Sequence, residues 1–582
     1  MKKIVLLTIV TAMLVGCNTP ERKAQRVLEQ MTIRQKVAQL MMVSVDSYNP
    51  PAKRANRDSL VREEGIGGLI IMHDSIIRSA VRLNELQALS PIPLLVSVDG
   101  EWGPSMRYSA FPFFPRQMQL GALTDDSLVY EMGKAVAEEC RVMNILINFA
   151  PVADININPN NPVINTRSFG EDRDKVTRMA IAYMRGMQDG GIYACAKHFP
   201  GHGDTDVDSH KALPVLPFTR ERLDTLELYP FRELIRQGVA MVMIGHLNIP
   251  TLDDAVSTLS YPIVTDLLKK EMGFDGIVVT DALNMRGVSE TLSPAEVTLA
   301  AYKAGVDLLL MPDDVKQSID MIEAAVVKGE CSEQDLNERV MKILVMKAKA
   351  GMLDEGYSAQ IDTTGLNERA CFAEHQQLIQ QLSDRSITYL SGSQQNGECR
   401  MLNAERKTAY VAYNATYVPM KRQYGEQEGL SGFCPESGIT ENGTFLYRTL
   451  TDKMGSAIDY FTLSRDANQE QVEALNAALA DYEHILFVCH DPAGRPKDDL
   501  IVPEHVSWLS PIMDERTTLI HFGTPYGMNH LPWIQQVGGI LIGYADSQVN
   551  QIAVSKILLG EIEPQGKLPV SAGGFQAVGG KR

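Results

Sequence analysis

The chain is short of the features that mark small stapled modules, nucleic-acid binders and membrane-spanning proteins. Its eight cysteines include no Cys-x-x-Cys pair, and apart from Cys17 they are scattered: Cys140, Cys195, Cys331, Cys371, Cys399, Cys434 and Cys489. An odd, dispersed set argues against a disulfide framework or a zinc ribbon. Positive charge is in deficit, with a net charge of −17 and a pI near 5.2, which argues against nucleic acid as a partner. Beyond the N-terminus no run is apolar enough to meet a membrane. The C-terminal part carries no Gly-Lys-Ser phosphate loop or dinucleotide fingerprint, and no internal repeat or low-complexity tract is found. What remains is an ordinary globular composition, 45% hydrophobic and 22% charged, long enough for two to four domains.

The N-terminus reads as a secretion signal. Lys2 and Lys3 precede the apolar run Ile4–Val15, which is short for a spanning helix and ends in Leu14-Val15-Gly16-Cys17. That ending resembles a bacterial lipobox, which implies cleavage of residues 1–16, lipidation of Cys17 and a protein tethered to the cell envelope, at a periplasmic or outer-membrane face. Asn18 supplies no Asp-type retention signal.

From there to about residue 350, short β-branched runs alternate with amphipathic stretches. Strands are expected at Val37–Val45, Gly67–Met72, Pro93–Val98, Leu146–Pro151, Gly191–Ala196, Ala240–Ile244, Gly276–Thr280 and Val306–Met311. Helical stretches include Asp125–Val142, Asp174–Gln188, Arg220–Arg236 and Pro262–Glu271. The expectation is an α/β chain whose N-terminal domain, 17–350, is a (β/α)8 TIM-like barrel. Polar residues fall at the ends of its strands: Asp99, Asp154, Lys197 with His198, His246 and Asp281, while Met311 closes the eighth. Such groups would converge on one barrel mouth. Residues 351–370 read as a linker after a helix at Glu333–Lys349, and 371–582 as a three-layer α/β sandwich. Its expected strands are Thr408–Tyr413, Ala457–Phe461, His484–Val488, Thr517–His521 and Gly539–Ile542, with a helix over Gln469–Asp481.

The densest chemistry lies in residues 195–217, CAKHFPGHGDTDVDSHKALPVLP. Asp204, Asp206 and Asp208 imitate the start of a calcium loop, but Ser209 stands where that loop needs Gly and Val215 where it needs a bidentate Glu. Pro200 and Gly201 between His198 and His202 exclude a zincin helix. A purely structural loop is the bland alternative. Acid/base chemistry fits better, because in Asp208-Ser209-His210 the carboxylate can orient an imidazole and raise its basicity. Asp281, alone at the tip of an apolar strand, reads by itself as a helix N-cap. Paired with the His210 loop it reads as a nucleophile, and a carboxylate nucleophile with an oriented acid/base suits retaining glycoside hydrolysis.

The run Lys197-His198-Phe199-Pro200-Gly201-His202-Gly203 with Asp208-Ser209-His210 resembles the signature of glycoside hydrolase family 3 β-N-acetylglucosaminidases. Ala150-Pro151-Val152-Ala153-Asp154, Asn165-Thr166-Arg167-Ser168-Phe169-Gly170-Glu171-Asp172 and the Asp281 strand support it. The resemblance implies that Asp281 is the nucleophile and that His210, held by Asp208, is the general acid/base. It further implies that Asp99, Arg167, Lys197 and His198 bind sugar hydroxyls, with Met311 near the pocket wall. His202 and Asp204 would shape the loop, and His246 would line the mouth. The implied substrate is a terminal β-linked N-acetylglucosamine on cell-wall fragments, chito-oligosaccharides or glycans, with no metal and no organic cofactor. Asp99-Gly100-Glu101-Trp102-Gly103 departs from the Glu-Gly-Gly-Arg run that many members carry, since arginine waits until Arg107. Three alternatives stay open: a family 3 β-glucosidase, a phosphorylase that uses phosphate in place of water, and a sugar-binding lipoprotein without catalysis.

Overall fold

The computed structural model describes residues 19–45, 48–207, 213–285, 288, 291–392, 399, 401–415, 439–440, 443–490 and 500–578. Eight parallel strands form the first sheet: β1 Met41–Val45, β2 Gly68–Ile71, β3 Leu95–Val98, β4 Ile147–Asn148, β5 Tyr193–Phe199, β6 Met241–Ile244, β7 Ile277–Thr280 and β8 Leu309–Leu310. β8 pairs with β1 (Met41 opposite Leu309), and a bridge between Val279 and Leu308 closes the ring between β7 and β8. The strands are nearly all buried, as parallel strands covered on both faces must be.

Several strands are shorter than expected, β4 and β8 having two residues each, and two stretches hold a helix boundary that the sequence did not suggest. Residues 33–39 are helical, so β1 begins at Met41 and not at Val37. A capping box decides this: the Thr32 hydroxyl accepts from the Gln35 backbone N–H while the Gln35 side chain reaches back to Thr32 N. The stretch Arg220–Arg236 is two helices, Arg220–Thr225 and Tyr229–Arg236, because Pro230 fits a first turn and not a helix interior. The helix Glu333–Lys349 has the expected bounds, started by the Ser332 cap. After it, Met352, Ile361, Leu366 and Ala370 are buried in the barrel's own core.

The second sheet has six strands: β9 Thr388–Ser391, β10 Thr408–Tyr413, β11 Ile458–Leu463, β12 His484–His490, β13 Thr517–Phe522 and β14 Gly539–Ile542. Their order is β9-β14-β13-β12-β10-β11, all parallel except β9, which runs antiparallel to β14. Side chains alternate across it, as the strand period of two requires. Ala409, Val411, Tyr413, Ile485 and Phe487 join one core, while Tyr410, Ala412, Leu486 and Val488 join another on the opposite face. The result is an eight-stranded barrel followed by a helix-covered mixed sheet. Among the described residues no helix is long and apolar enough to cross a membrane.

The second domain grips one barrel loop, 154–171. Asn156 and Tyr526 exchange hydrogen bonds (2.9 and 3.2 Å), and the Thr524 hydroxyl donates to Asn165 Oδ1 (3.3 Å). Glu171 accepts from the backbone N–H and the hydroxyl of Ser571 (2.8 and 2.7 Å). Gly170 passes so near Pro569 that a Cβ would lie 2.4 Å from the Pro569 carbonyl oxygen.

Candidate active site

Four strand ends bring polar groups to the C-terminal mouth of the barrel, and a fifth brings a methionine. β5 delivers Lys197 and His198 within its last residues, and its register against β6 shifts between Ala196 and Phe199. Asp99 follows β3, Asp281 follows β7, His246 lies just past β6, and Met311 past β8 in a left-handed conformation (φ 53°).

Lys197 is the hub. Its side chain is 2% exposed, and Nζ donates to Asp99 Oδ1 and contacts Glu101 Oε1, both at 2.8 Å. Arg107 Nη2 meets the other Asp99 oxygen at 3.2 Å. Arg167 forks onto Glu101 through Nε (3.2 and 3.0 Å) and Nη2 (2.7 Å), a bidentate geometry that a guanidinium is shaped for. Burial alone would raise Asp99 and Glu101, but Lys197 with Arg107 outweighs it for the first and Arg167 with Lys197 for the second. Both carboxyls are therefore held below their ordinary values. The charges also keep Lys197 protonated: burial opposes it, and Asp99 and Glu101 prevail.

His198 is fixed from below by Asp154. The ring Nδ1 donates to Asp154 Oδ2 (2.7 Å), and the same carboxylate accepts from the backbone N–H of His198 (3.3 and 3.2 Å) and of His202 (2.7 Å). With Nδ1 carrying the proton, Nε2 presents its lone pair to Arg167 Nη2 at 3.3 Å. Asp154 stays ionised because His198 and His202 offset its burial.

Asp281 is only partly buried, and its Oδ1 accepts from Ala282 N at 2.7 Å. Burial would raise its pKa, but His246, His198, the Ala282 N–H and Lys197 bring it down to about 2. His246 is held by Thr258 Oγ1 (2.7 Å) and gives its Nε2–H to the Ala282 carbonyl (3.0 Å), beside the Asp281 backbone. The site thus holds an ionised carboxylate at a rigid strand tip and, close by, a network of fixed donors and acceptors suited to hydroxyl groups.

The structure unites Asp99, Arg167, Lys197 and His198 in one network and places Met311, half-buried, at the end of β8. Asp208, His210 and Cys17 lie outside the described residues. Asp204 pairs with Arg222 (2.7 Å) and Asp206 accepts from Asn158 (2.7 Å), so both shape the loop. Glu101 was missed. It is 1% exposed, and its only sequence signal was a place two residues after Asp99, in a position where glutamates are ordinarily solvated. The Asn148 side chain explains how that turn is held: Oδ1 accepts from Gly100 N and Nδ2 donates to Gly100 O, both at 2.9 Å.

Residues 32–346 match the model of the glycosyl hydrolase family 3 N-terminal domain. The chain belongs to glycoside hydrolase family 3. Beta-hexosaminidase A of Pseudoalteromonas piscicida is 30% identical over 367 residues, 55% of this chain and 61% of that protein. Beta-hexosaminidase LpqI of Mycobacterium tuberculosis is 31% identical over 329 residues, 54% of this chain and 82% of that one. The match thus spans about three fifths of the first of these two relatives. The solved family 3 β-N-acetylglucosaminidase from Paenibacillus superposes with a TM-score of 0.75 at 29% identity, covering 94% of this chain and all (100%) of that one. That superposition takes in the second domain as well as the barrel.

Proposed function

We propose that the protein is a retaining exo-β-N-acetylglucosaminidase. The observation that carries the reading is Asp281, kept ionised at the tip of β7 by His246, His198, the Ala282 N–H and Lys197, in a chain of this family. In the proposed cycle the Asp281 carboxylate attacks the anomeric carbon, the glycosidic C–O bond breaks, and His210 gives its proton to the leaving oxygen. Water then attacks the glycosyl-enzyme and returns a proton to His210, which Asp208 orients. Asp99, Lys197, Arg167 and His198 bind the hydroxyls of the terminal sugar, and Met311 borders it. Their mutual ion pairs hold them in place before substrate arrives, which reduces the cost of ordering them. Cell-wall fragments, chito-oligosaccharides and glycans ending in this sugar are the proposed substrates. The relatives' names as β-hexosaminidases support the sugar.

The test compares hydrolysis of 4-nitrophenyl β-N-acetylglucosaminide and β-glucoside, with and without phosphate, by wild type and Asp281→Asn. Preference for the N-acetyl sugar, independence of phosphate and loss of at least about a thousandfold in the variant are expected. Activity that survives the substitution would mean a different nucleophile. We also propose a lipid anchor at Cys17, supported by the Ile4–Val15 run before it. Partition of the native protein into the aqueous phase of a detergent extract would refute it.

A further inference from the structure

Asp154 and Arg167 lie on one barrel loop, 154–171, whose regular structure is a single 3₁₀ turn, Asn165–Arg167. A segment with so few ladder or helix bonds of its own needs outside contacts to offset the entropy of fixing it. Its two ends are tied to each other. The Asn156 N–H donates to the Gly170 carbonyl (2.9 Å), and the Ser168 hydroxyl to the Asp154 carbonyl (2.6 Å). The barrel holds the loop through Arg116 on Thr166 Oγ1 (3.2 Å) and through Asn161 on the His202 carbonyl (3.0 Å). The second domain supplies the other contacts.

Tyr526 makes the one nearest to Asp154. Its ring is 5% exposed and packs in the second domain's core, while its hydroxyl reaches the loop. The hydroxyl accepts from Asn156 Nδ2 (2.9 Å) and donates to the Asn156 carbonyl (3.2 Å), so donor and acceptor are both spent on one residue. Asn156 is fully buried and stands two residues after Asp154, the carboxylate that fixes His198. Thr524, in the same connection after β13, holds Asn165 Oδ1 two residues before Arg167, where Asn165 takes a left-handed conformation (φ 34°). Arg167 must meet Glu101 bidentately and still present Nη2 to His198, which leaves little room for its backbone to drift.

We propose that Tyr526 is a positioning residue for sugar binding: from the second domain it holds the loop that sets Asp154 beneath His198 and Arg167 beside it. The inference rests on the assignment of Arg167 and His198 to the terminal sugar, and it makes the second domain part of the working site. Tyr526 acts through Asn156 and not by contact with the sugar. It reduces the ordering that binding would otherwise have to complete.

The test compares wild type, Tyr526→Phe, Asn156→Ala, the double variant and Tyr410→Phe. Kinetics on the aryl N-acetylglucosaminide, inhibition by free N-acetylglucosamine and urea unfolding are measured for each. Tyr410→Phe is the control, because it removes a buried hydroxyl (2.6 Å from Thr444 Oγ1) from the core on the sheet's other face. Tyr526→Phe should raise KM and the inhibition constant together, on the order of 10-fold, with kcat changed less than about threefold. Tyr410→Phe should leave all three within about twofold, whatever it costs in stability. The double variant should lose no more than Asn156→Ala alone, since both break one contact. Ser571→Ala, which frees Glu171 at the far end of the loop, should repeat the effect in smaller measure and serves where Tyr526→Phe fails to fold. Unchanged KM and inhibition in folded Tyr526→Phe (failing that, in Ser571→Ala), additive losses, or an equal rise in Tyr410→Phe overturn the inference and leave the activity standing. A wild type without turnover of the N-acetyl sugar would instead sink the proposed activity, and this inference with it.

Discussion

Glu101→Gln is the substitution that probes the buried network most directly. The carboxylate accepts from Arg167 at 3.2, 3.0 and 2.7 Å and contacts Lys197 Nζ at 2.8 Å. It is 1% exposed, and the Lys197 side chain is 2% exposed. Taking one partner from such a buried pair strands the other charge, at a cost of about 3–5 kcal/mol. The Gln oxygen keeps part of the contact with Arg167, so the lower end, ~3 kcal/mol, is expected. Urea unfolding at pH 7 should show this as a lower midpoint at unchanged slope. With Arg167 and Lys197 freed, kcat/KM on the aryl N-acetylglucosaminide should drop on the order of 10- to 100-fold. The pH dependence adds a check of sign. Arg167 and Lys197 outweigh burial and hold the Glu101 carboxyl well below its ordinary value of 4.5. Its stabilisation is therefore present above 4.5 and fades as pH falls from there towards the folded-state value. The variant should lose less stability than wild type over that range. A stability within about 0.5 kcal/mol of wild type, with activity unchanged, would refute the claim that Glu101 holds Lys197 and Arg167 in place.

Asp154→Asn keeps the shape beneath His198 but removes the charge that fixes its Nδ1 proton. Activity should fall at least about a hundredfold while the urea midpoint moves less than in Glu101→Gln, and an active variant would show that the tautomer is immaterial. Lys347 is fully buried with its Nζ on Gln39 Oε1 (2.7 Å), and burial lowers its pKa from 10.5 to about 7. The unfolded chain binds the extra proton between those values, so stability should rise with pH across that window, by at most ~5 kcal/mol. Lys347→Met should flatten the rise and be no less stable at pH 7; a slope that persists in the variant would mean another group causes it.

The alternation of apolar runs and amphipathic stretches made both domains legible, since burial on two faces leaves a local trace in each strand. Thr408–Tyr413 and Gly539–Ile542 have the bounds the sequence suggests. β9 was not foreseen. It is a short antiparallel edge strand, and pairing across the chain from β14 makes it. The helix before β1 was hidden because Val37 and Ala38 are buried residues whose apolar character fits a strand equally well.

The sequence by itself determined which chemistry is present: a lone carboxylate after an apolar strand, a lysine–histidine pair at another strand's end, and a loop rich in acid/base groups. These are local facts, carried by residue type and spacing. Only the tertiary structure decided how they are held. Glu101 joins Lys197 to Arg167 across three separate segments, and Asp154 grips two histidines through one carboxylate. The second domain fastens the loop that carries Asp154 and Arg167, through Tyr526, Thr524 and Ser571. Such partnerships join residues far apart in the chain, and the free energy of a buried charge depends on what folding places beside it, which no local pattern records.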